Sequence, residues 1–425
     1  MLWNLSLPLT IIVTGNSSTS TSSADCNFSS PSTMLCPSLR SGLDAARHNN
    51  TGRPPTLLFN GSHELGDGGR LEIDVPGMRF VGSPSAIVDG GGASAIAKIR
   101  ADGVVVENVL WRNGNASEAG PYGSPLIVQA NDVIFRGGGC DRMTGVNGGC
   151  IFFLHARARI ENGATFSHCY AAGAGAGGGG GAIYNDGGLL TIADTIFRHC
   201  SAREGGGAIW TNEAVMTVSN TIFESNAANQ GAAWFHYGTE GNVNFFNCTF
   251  RRNIAHDMGT GTWHAGVLFT DRLERFVVAD SLFEENQGGC IYTFLGQSQL
   301  QLRNTKFIRN TNASHGAALA NDGGTVTVRD CFFDQNSAIE SGGVLFNLGP
   351  STHGMPSMMH VENSTFTINN TAGGEGALVM NKAEGHVIIT NHSVVLVNNA
   401  SQGTPARLAK LFAHSVVDSV DVVVV

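Results

Sequence analysis

The sequence predicts an all-β fold: a single-stranded right-handed parallel β-helix, a solenoid, with a short N-terminal capping helix. Two neighbouring segments nearly repeat each other, GGGAIYNDGGLLTIADTIFRHC from Gly179 and GGGAIWTNEAVMTVSNTIFESN from Gly205. Apolar and polar residues alternate within both, as is typical of half-buried strands. The repeats contain no ten-residue stretch of helical periodicity. Short strands and glycine turns that recur at this interval indicate the coils of a β-helix.

Composition narrows the classes of protein. The 425 residues include 56 glycines, only 14% are charged, and the net charge is −9. The chain therefore folds rather than staying disordered, and its glycines occupy specific turn positions. It has no basic stripe, which argues against binding nucleic acid. The nine cysteines show no spacing typical of zinc ligands, so we expect neither a metal nor a cofactor.

The chain divides into three predicted parts. Residues 1–25 combine an apolar run, Leu2 to Val13, with a polar linker; the run is either a degenerate signal peptide, since it lacks basic residues before it, or a wrongly assigned start. Residues 26–56 form a cap with one amphipathic helix within Cys36 to Asn50. Residues 57–425 form the β-helix, with the clearest repeats at 148–400. Leu2 to Val13 is too short to span a bilayer, and no longer apolar run occurs elsewhere, so we expect no transmembrane segment.

One phenylalanine ends each repeat, and an asparagine follows three residues later in six of them. The phenylalanines are Phe166, Phe197, Phe223, Phe250, Phe283, Phe307, Phe333 and Phe366. The asparagines are Asn226, Asn253, Asn286, Asn310, Asn336 and Asn369. Successive coils of a β-helix lie about 4.8 Å apart, so equivalent residues stack into ladders. We expect the phenylalanines to stack inside the coil. We expect the asparagines to adopt the left-handed conformation at one corner and to bond along the axis through their amides.

A second column of aromatic residues follows the glycines that open six successive repeats. Its members are Phe152, Tyr184, Trp210, Trp234, Phe269 and Tyr292. If the column faces outward, it is a stripe suited to stacking against sugar rings; if it faces inward, it is core. The sequence leaves both alternatives open.

Two other groups of residues are candidates for a site. His256, Asp257, Trp263 and His264 lie in an insertion within a long repeat, and loops on a rigid scaffold often carry function. Asp186 and Asp322 both occur in NDGG, but they are five coils apart, and aspartate beside glycine is typical of turns. We find no catalytic residues by motif.

Two cysteine pairs are candidates for disulfides. Cys169 and Cys200 occupy the same corner in successive repeats, where the ladder spacing lies within the range that a disulfide permits. Cys26 and Cys36 are placed to tie the N-terminal segment to the capping helix.

The tandem GGA[ILV] and FxxN motifs resemble the repeats of the chlamydial polymorphic outer membrane proteins. The resemblance covers about 60% of the chain, from Gly148 to Asn399. It implies a right-handed β-helix exposed at a cell surface and a role in adhesion. The chain lacks the C-terminal membrane barrel of that family, so membrane anchoring does not carry over. The entry to the coils, through PTLLF to AIVDGGG, also resembles that of pectate-lyase-like β-helix proteins.

These features predict a secreted or cell-surface protein with an adhesive, structural or glycan-binding role and no catalysis. Twelve N-x-S/T sequons favour an extracellular location, and glycans or a host or cell-surface protein are the expected partners. The alternative is a carbohydrate-active enzyme, a polysaccharide lyase or glycoside hydrolase of the pectate-lyase-like class. Two or more carboxylates clustered in a groove would favour the enzyme. A flank rich only in Asn and Gly would favour the adhesin.

Overall fold

The structure, a computed structural model, describes most of the chain. The described residues are 8–15, 25–49, 51–65, 69–84, 86–92, 95–117, 123–173, 178–256, 265–294, 298–349, 356–367, 369–374, 376–382, 385–390, 393–397, 412–413, 416–417 and 420–424. They fall into two compact units, unit 1 (Met1–Cys200) and unit 2 (Ser201–Val425). The fold prediction is confirmed: the chain is an all-β right-handed parallel β-helix of about 13 turns with one short helix.

The described residues of unit 1 form one helix, α1 (Leu39–Arg47), and 21 strands. The strands are β1 (Thr10–Val13), β2 (Asn27–Ser30), β3 (Thr33–Cys36), β4 (Thr56–Phe59), β5 (Ser62–Glu64), β6 (Leu71–Ile73), β7 (Arg79–Gly82), β8 (Ile87–Asp89), β9 (Ala97–Ile99), β10 (Val105–Glu107), β11 (Leu110–Arg112), β12 (Leu126–Val128), β13 (Asn131–Arg136), β14 (Gly139–Asp141), β15 (Thr144–Gly145), β16 (Ile151–Leu154), β17 (Arg157–Glu161), β18 (Thr165–Ser167), β19 (Tyr170–Ala171), β20 (Ile183–Ala193) and β21 (Ile196–Arg198). Strands β5, β8, β11, β14, β18 and β21 pair in that order as one parallel sheet.

Within its described residues, unit 2 contains 29 strands. They are β22 (Ser201–Ala202), β23 (Ile209–Ser219), β24 (Ile222–Glu224), β25 (Ala227–Ala228), β26 (Trp234–Tyr237), β27 (Asn242–Phe246), β28 (Thr249–Arg251), β29 (Ile254–Ala255), β30 (Leu268–Asp271), β31 (Arg275–Ala279), β32 (Leu282–Glu284), β33 (Ile291–Phe294), β34 (Gln299–Arg303), β35 (Lys306–Ile308), β36 (Ala313–His315), β37 (Leu319–Asp322), β38 (Gly324–Arg329), β39 (Phe332–Asp334), β40 (Ser337–Ser341), β41 (Leu345–Leu348), β42 (Ser357–Glu362), β43 (Thr365–Thr367), β44 (Thr371–Ala372), β45 (Val379–Lys382), β46 (His386–Thr390), β47 (Ser393–Val397), β48 (Phe412–Ala413), β49 (Val416–Val417) and β50 (Val420–Val424).

The N-terminal segment belongs to the fold. Thr10–Val13, predicted as part of a signal peptide, forms β1, which pairs in parallel with β3 and β4. Its side chains alternate, so that Ile11 and Val13 are buried. The capping helix α1 packs on these strands and begins at Ser38, whose hydroxyl accepts a hydrogen bond from the backbone N–H of Ser41. Residues 16–24 of the predicted linker lie outside the described part of the chain.

The phenylalanines that end the repeats are all buried and stack along the axis. In unit 1 the rings of Phe166 and Phe197 lie 4.9 Å apart and nearly parallel. In unit 2 the stack runs from Phe223 to Phe366, with centroid separations between 4.5 and 5.2 Å. Stacking at one ring per rung fills the interior of each coil with the same shape, so that each repeat contributes the same packing contacts.

The asparagines of unit 2 form a buried amide ladder. The side-chain oxygen of Asn310, for example, accepts from the backbone N–H of Asn286 at 3.0 Å and from its amide nitrogen at 2.9 Å. The left-handed conformation that we expected for these asparagines occurs one residue earlier. Ser225 and Arg252 each have φ 54°. The asparagine that follows each of them donates its backbone N–H to the side-chain oxygen of the next asparagine in the ladder. That corner therefore places a polar residue, half-buried Ser225 or exposed Arg252, in the left-handed region.

The last rung of the ladder differs from the prediction. Asn336 bonds to the side-chain oxygen of Asn370 through its backbone N–H and its amide, at 2.9 and 3.0 Å. Asn369, which the FxxN spacing predicts, is exposed. The corner after β43 is one residue longer than those before it, so the next asparagine enters the ladder.

Two disulfides close loops in unit 1, Cys26–Cys36 and Cys140–Cys150. The second was not predicted. Cys169 and Cys200, proposed as a bonded pair, are instead two buried thiols. They occupy in unit 1 the corner position that asparagine takes in unit 2. Burial, followed by the neighbouring Cys200 thiol, raises the pKa of Cys169 well above its usual value.

Candidate functional site

The aromatic column predicted from the repeats is buried and cannot serve as a binding surface. Phe152 and Tyr184 stack in unit 1 at 5.2 Å, and Phe269 and Tyr292 stack in unit 2 at 5.4 Å. The side chains point away from the coil interior, but the segment that connects successive turns covers them. A β-carbon placed on Gly205, for instance, would lie 2.9 Å from the ring of Trp210. The column is therefore a second layer of core, which corrects its assignment as a binding site.

Trp234 does not belong to that column. It pairs in register with Ile209 and Leu268, whose side chains face the interior, whereas Phe235 pairs with Trp210 and Phe269. Gly231 aligns with Gly206, the first glycine of the preceding repeat, whereas Trp210 lies three residues after the second glycine, Gly207. The residue of the column in this repeat is therefore Phe235, four residues after Gly231. Trp234 is fully buried, and its indole N–H donates to Thr211 Oγ1 at 3.0 Å.

Of the four residues in the predicted loop site, the structure describes one. His256 is exposed at the end of β29. Asp257, Trp263 and His264 lie outside the part of the chain that the structure describes. Within the described residues, no group of three or more His, Cys, Asp or Glu side chains is placed to hold a metal ion.

An open polar groove in unit 1 brings two carboxylates together. Glu64 ends β5 and Asp89 ends β8, and the two occupy matching positions on these paired parallel strands. Both side chains line a groove of about 510 Å³. The rest of the lining comes from turns of the next coils: Gly91, Gly92, Asn113, Gly114, Asn115, Arg142 and Thr144. The groove therefore contains acidic, amide, hydroxyl and guanidinium groups within one surface depression.

Asp89 is held in place by hydrogen bonds from three residues. Its Oδ1 accepts from the backbone N–H of Gly91 at 2.9 Å, and Arg112 donates to Oδ2 through Nε at 3.1 Å and Nη2 at 2.8 Å. Asn113 Nδ2 reaches both oxygens, at 3.1 and 3.0 Å. Burial acts to raise the pKa of Asp89, but these hydrogen bonds outweigh it and hold the pKa below its usual range. Asp89 is thus a fixed, ionised carboxylate.

Glu64 has a different environment. It is exposed at the mouth of the groove, and its carboxylate lies over Gly91, where a β-carbon would come within 3.4 Å of Oε1. Gly91 has φ 63°, so the tight turn after β8 both requires a glycine and leaves space for the acid. One carboxylate of the pair is therefore held by hydrogen bonds, and the other is exposed to solvent.

Two further charged groups adjoin the groove. Asp141 on β14 is the residue paired with Arg112 of β11. Its carboxylate accepts hydrogen bonds from Ser167 Oγ at 2.8 Å and from His168 Nδ1 at 3.1 Å. Arg142, at the next corner, is exposed, and its guanidinium lies 3.7 Å from the Asp141 carboxylate. This flank of unit 1 is therefore not the featureless Asn- and Gly-rich surface expected of an adhesin.

Sequence analysis missed all of these groove residues. Glu64, Asp89 and Arg112 end strands of three residues each, too short to show alternation clearly. Asp89 lies in VDGGG, where aspartate before glycine reads as a turn. The available signal was positional: a charged residue directly follows the buried apolar residue in successive weak repeats, Asp89 after Val88 and Arg112 after Trp111.

Comparison with known proteins identifies the family. The family model described as right handed beta helix region matches residues 87–307 and 183–403. Together the two matches span well over half of the chain, which therefore belongs to the right-handed β-helix family. None of the curated proteins compared with the chain matches it. No helix among the described residues is long and apolar enough to cross a membrane.

Solved structures with a similar fold include two carbohydrate-active enzymes. One is the catalytic domain of a GH87 alpha-1,3-glucanase in complex with nigerose, with a TM-score of 0.45, 9% identity and 81% coverage of this chain. The chain spans 64% of the length of that glucanase domain. The other is a mannuronic acid specific polysaccharide family 6 lyase from human gut microbiota, with a TM-score of 0.44, 11% identity and 86% coverage of both chains. At these identities the likeness concerns the fold.

The main functional prediction, an adhesive, structural or glycan-binding protein without catalysis, is corrected. The solved structures with a similar fold include a glucanase and a polysaccharide lyase. What this chain itself does must be argued from its own residues.

Proposed function

We propose that the chain is a carbohydrate-active enzyme that cleaves a polysaccharide in the groove lined by Glu64, Asp89, Asn113 and Arg142. The observation that carries the proposal is the pairing of Glu64 with Asp89 on neighbouring strands of one open groove. Glycoside hydrolysis uses two carboxyl groups on either side of the scissile bond. A groove, unlike a closed pocket, admits the middle of a long chain.

The two carboxylates have distinct proposed roles. Asp89 is kept ionised by Gly91, Arg112 and Asn113, so it supplies the negative charge that stabilises a positively charged, oxocarbenium-like transition state. Glu64 lies opposite Asp89 at the open side of the groove and acts as the proton-transfer group on the glycosidic oxygen. Arg112 contacts Asp89 rather than the groove's open space, which makes it a positioning residue.

A lyase remains the second candidate because Arg142 is exposed at the groove, where a guanidinium could neutralise a uronate carboxylate. Product analysis separates the two. A hydrolase releases reducing ends from a neutral or acidic polymer without new double bonds. A lyase acts on uronate polymers and gives unsaturated ends that absorb in the ultraviolet. We expect hydrolysis, and release of unsaturated products instead would replace that assignment.

The asymmetry of the pair gives a second test. Asp89→Asn should abolish cleavage while leaving the fold intact, because the amide keeps the shape and some of the hydrogen bonds but not the charge. Arg112→Gln should lower the rate less and should shift its pH profile, because Asp89 then loses the cation that favours its ionised form. Full activity in Asp89→Asn would remove this residue from the mechanism.

The cellular setting belongs to the same proposal. A polysaccharide-cleaving enzyme meets its polymer outside the cell or at its surface, in line with the twelve sequons and the two disulfides. A specific relationship to the chlamydial polymorphic outer membrane proteins is likewise a proposal, supported by the GGA[ILV] and FxxN motifs. The location is tested by recovering the protein from the culture medium of the cells that make it and by peptide mapping of its two disulfides.

A further inference from the structure

Unit 2 carries a row of alternating aromatic and acidic side chains on the outer face of its turns. Register places Tyr237 beside Asp271, Asp271 beside Phe294, and Phe294 beside Asp322 on four successive paired strands. We call these four residues the aromatic–acidic row. Tyr237 is exposed, Asp271 and Phe294 are half-buried, and Asp322 lies deepest.

The row is the accessible continuation of the buried aromatic column. Side chains two residues apart on a strand share a face, so Tyr237 follows Phe235 and Phe294 follows Tyr292 on the same side. On β26 the second position is more accessible than the first, and accessibility falls along the row to Asp322, which is buried. Phe235 is 5% exposed whereas Tyr237 is 38% exposed.

Charged neighbours fix the geometry of the row. The Arg272 guanidinium carbon lies 5.4 Å from the centre of the Tyr237 ring, and Arg272 Nε donates to Asp271 Oδ1 at 3.0 Å. The arginine thus holds the ring and the carboxylate together as a cation–π and ion-pair bridge. Both groups are set in position before any ligand arrives, which lowers the entropic cost of binding.

We propose that the aromatic–acidic row binds a neutral oligosaccharide chain that lies along the axis of unit 2. Aromatic rings pack against the C–H faces of sugar rings, and carboxylates accept hydrogen bonds from sugar hydroxyls. Each rung adds about 4.8 Å, so rings and acids recur at a fixed interval that suits a polymer.

The charge of the row argues for a neutral glycan. Asp271 and Asp322 belong to the row and the exposed Glu213 lies beside it, whereas the arginine of the row, Arg272, is already paired with Asp271. The Glu213 side chain lies against Gly238, the residue after Tyr237. A uronate or sulfated polymer would meet net repulsion here, because like charges at such distances are unfavourable.

Titration calorimetry of the full chain tests the inference. Glu64→Gln serves as the background in every arm, so that binding is measured apart from cleavage in the groove. The probes are neutral hexasaccharides built from glucose, mannose or xylose, with an oligogalacturonate of equal length as the anionic arm. Tyr237→Ala should weaken binding of the preferred neutral probe by roughly tenfold. Asp271→Asn, which keeps the shape of the side chain, should also weaken it.

Phe246→Ala is the matched control. Phe246 is an aromatic residue of unit 2 with the same 38% exposure as Tyr237, but it lies on β27, outside the row. Its replacement should leave the affinity unchanged. Equal losses in Tyr237→Ala and Phe246→Ala, no loss in either, preference for the oligogalacturonate, or no binding of any neutral probe would each overturn the inference. Because no arm measures cleavage, an inactive groove would not affect the outcome.

Discussion

Glu64 and Asp89 face the same groove from matching positions on two neighbouring parallel strands, although a full turn of the chain separates them. The β-helix converts that distance in sequence into one rung of about 4.8 Å. Five hydrogen bonds hold Asp89, and none of them involves Glu64. The fold therefore supplies a rigid anion beside a solvent-exposed acid without any specialised domain.

His236 makes the stability of the protein depend on pH. It is buried between Thr211, at 2.9 Å from Nδ1, and the Gly238 carbonyl, at 3.1 Å from Nε2. Burial lowers its pKa to about 4, against the weaker opposing effect of backbone hydrogen bonds. The unfolded chain takes up a proton below about pH 6.5. The folded chain does not until about pH 4, so stability should fall as pH drops between these values.

The expected slope from this histidine is about 1.4 kcal/mol per pH unit. Denaturant unfolding of the wild type and His236→Gln at several pH values measures it as a difference between the two proteins. His256→Gln is the control, because that side chain is exposed. Parallel curves for wild type and His236→Gln would show that the histidine takes up its proton equally readily in the folded and unfolded chains, so that burial does not lower its pKa.

Trp234 tests the register of the repeats. Its side chain is fully buried in the column of Ile209 and Leu268, so Trp234→Ala should leave a large cavity. We expect a loss of about 3–5 kcal/mol in the free energy of unfolding. Phe246→Ala, in the same unit but exposed, should change it by no more than about 0.5 kcal/mol. A small effect at Trp234 would mean that the ring lies outside the core.

The last rung of the amide ladder provides a comparison of adjacent residues. Asn370→Ala removes the acceptor of two hydrogen bonds from Asn336 and the donor to the Phe333 carbonyl. The cost should be about 1–3 kcal/mol or more, because buried partners are left unsatisfied. Asn369→Ala should cost less than about 0.5 kcal/mol. Thermal unfolding of both variants, made without glycosylation, decides between the register of the structure and that of the FxxN motif.

The cysteines can be assigned by labelling. The structure predicts two disulfides, Cys26–Cys36 and Cys140–Cys150, and thiols at Cys169 and Cys200. A thiol-specific reagent should leave the last two unmodified in the native protein, since both are buried and the pKa of Cys169 is raised. It should modify them in denaturant without reductant. A peptide linking Cys169 to Cys200 would instead support the bond that their ladder position permits.

Much of the fold was predictable because each coil places the same residue type at the same position, so the pattern recurs along the sequence. Phe197, Phe250 and Phe307 recur at the one position where each coil needs a large apolar ring. The exceptions arise where a corner gains one residue, as at Asn369, or where alanine replaces the second opening glycine, as at Ala232. Gly231 matches the first glycine of other repeats rather than the second, which moves Trp234 into the interior column.

The candidate site was harder to predict because it depends on residues that no motif joins. Glu64 and Asp89 meet only through strand pairing in the weakest repeats, and each resembles an ordinary turn residue locally. Tyr237 and Phe294 belong to an outer row whose exposure depends on where the connecting segment lies. Alternation predicts the face of a strand, but the covering of that face is a tertiary property.

The most direct test of the central claim is the initial rate of reducing-end release from the polysaccharide that the wild type cleaves best. Three proteins are compared: wild type, Glu64→Gln and Glu107→Gln. Glu107 is a glutamate of unit 1 paired with Arg79 and does not line the groove. We predict that Glu64→Gln lowers the rate by about a hundredfold or more with unchanged folding, while Glu107→Gln retains it. A full rate in Glu64→Gln, or no cleavage of any polysaccharide by the wild type, would contradict the account.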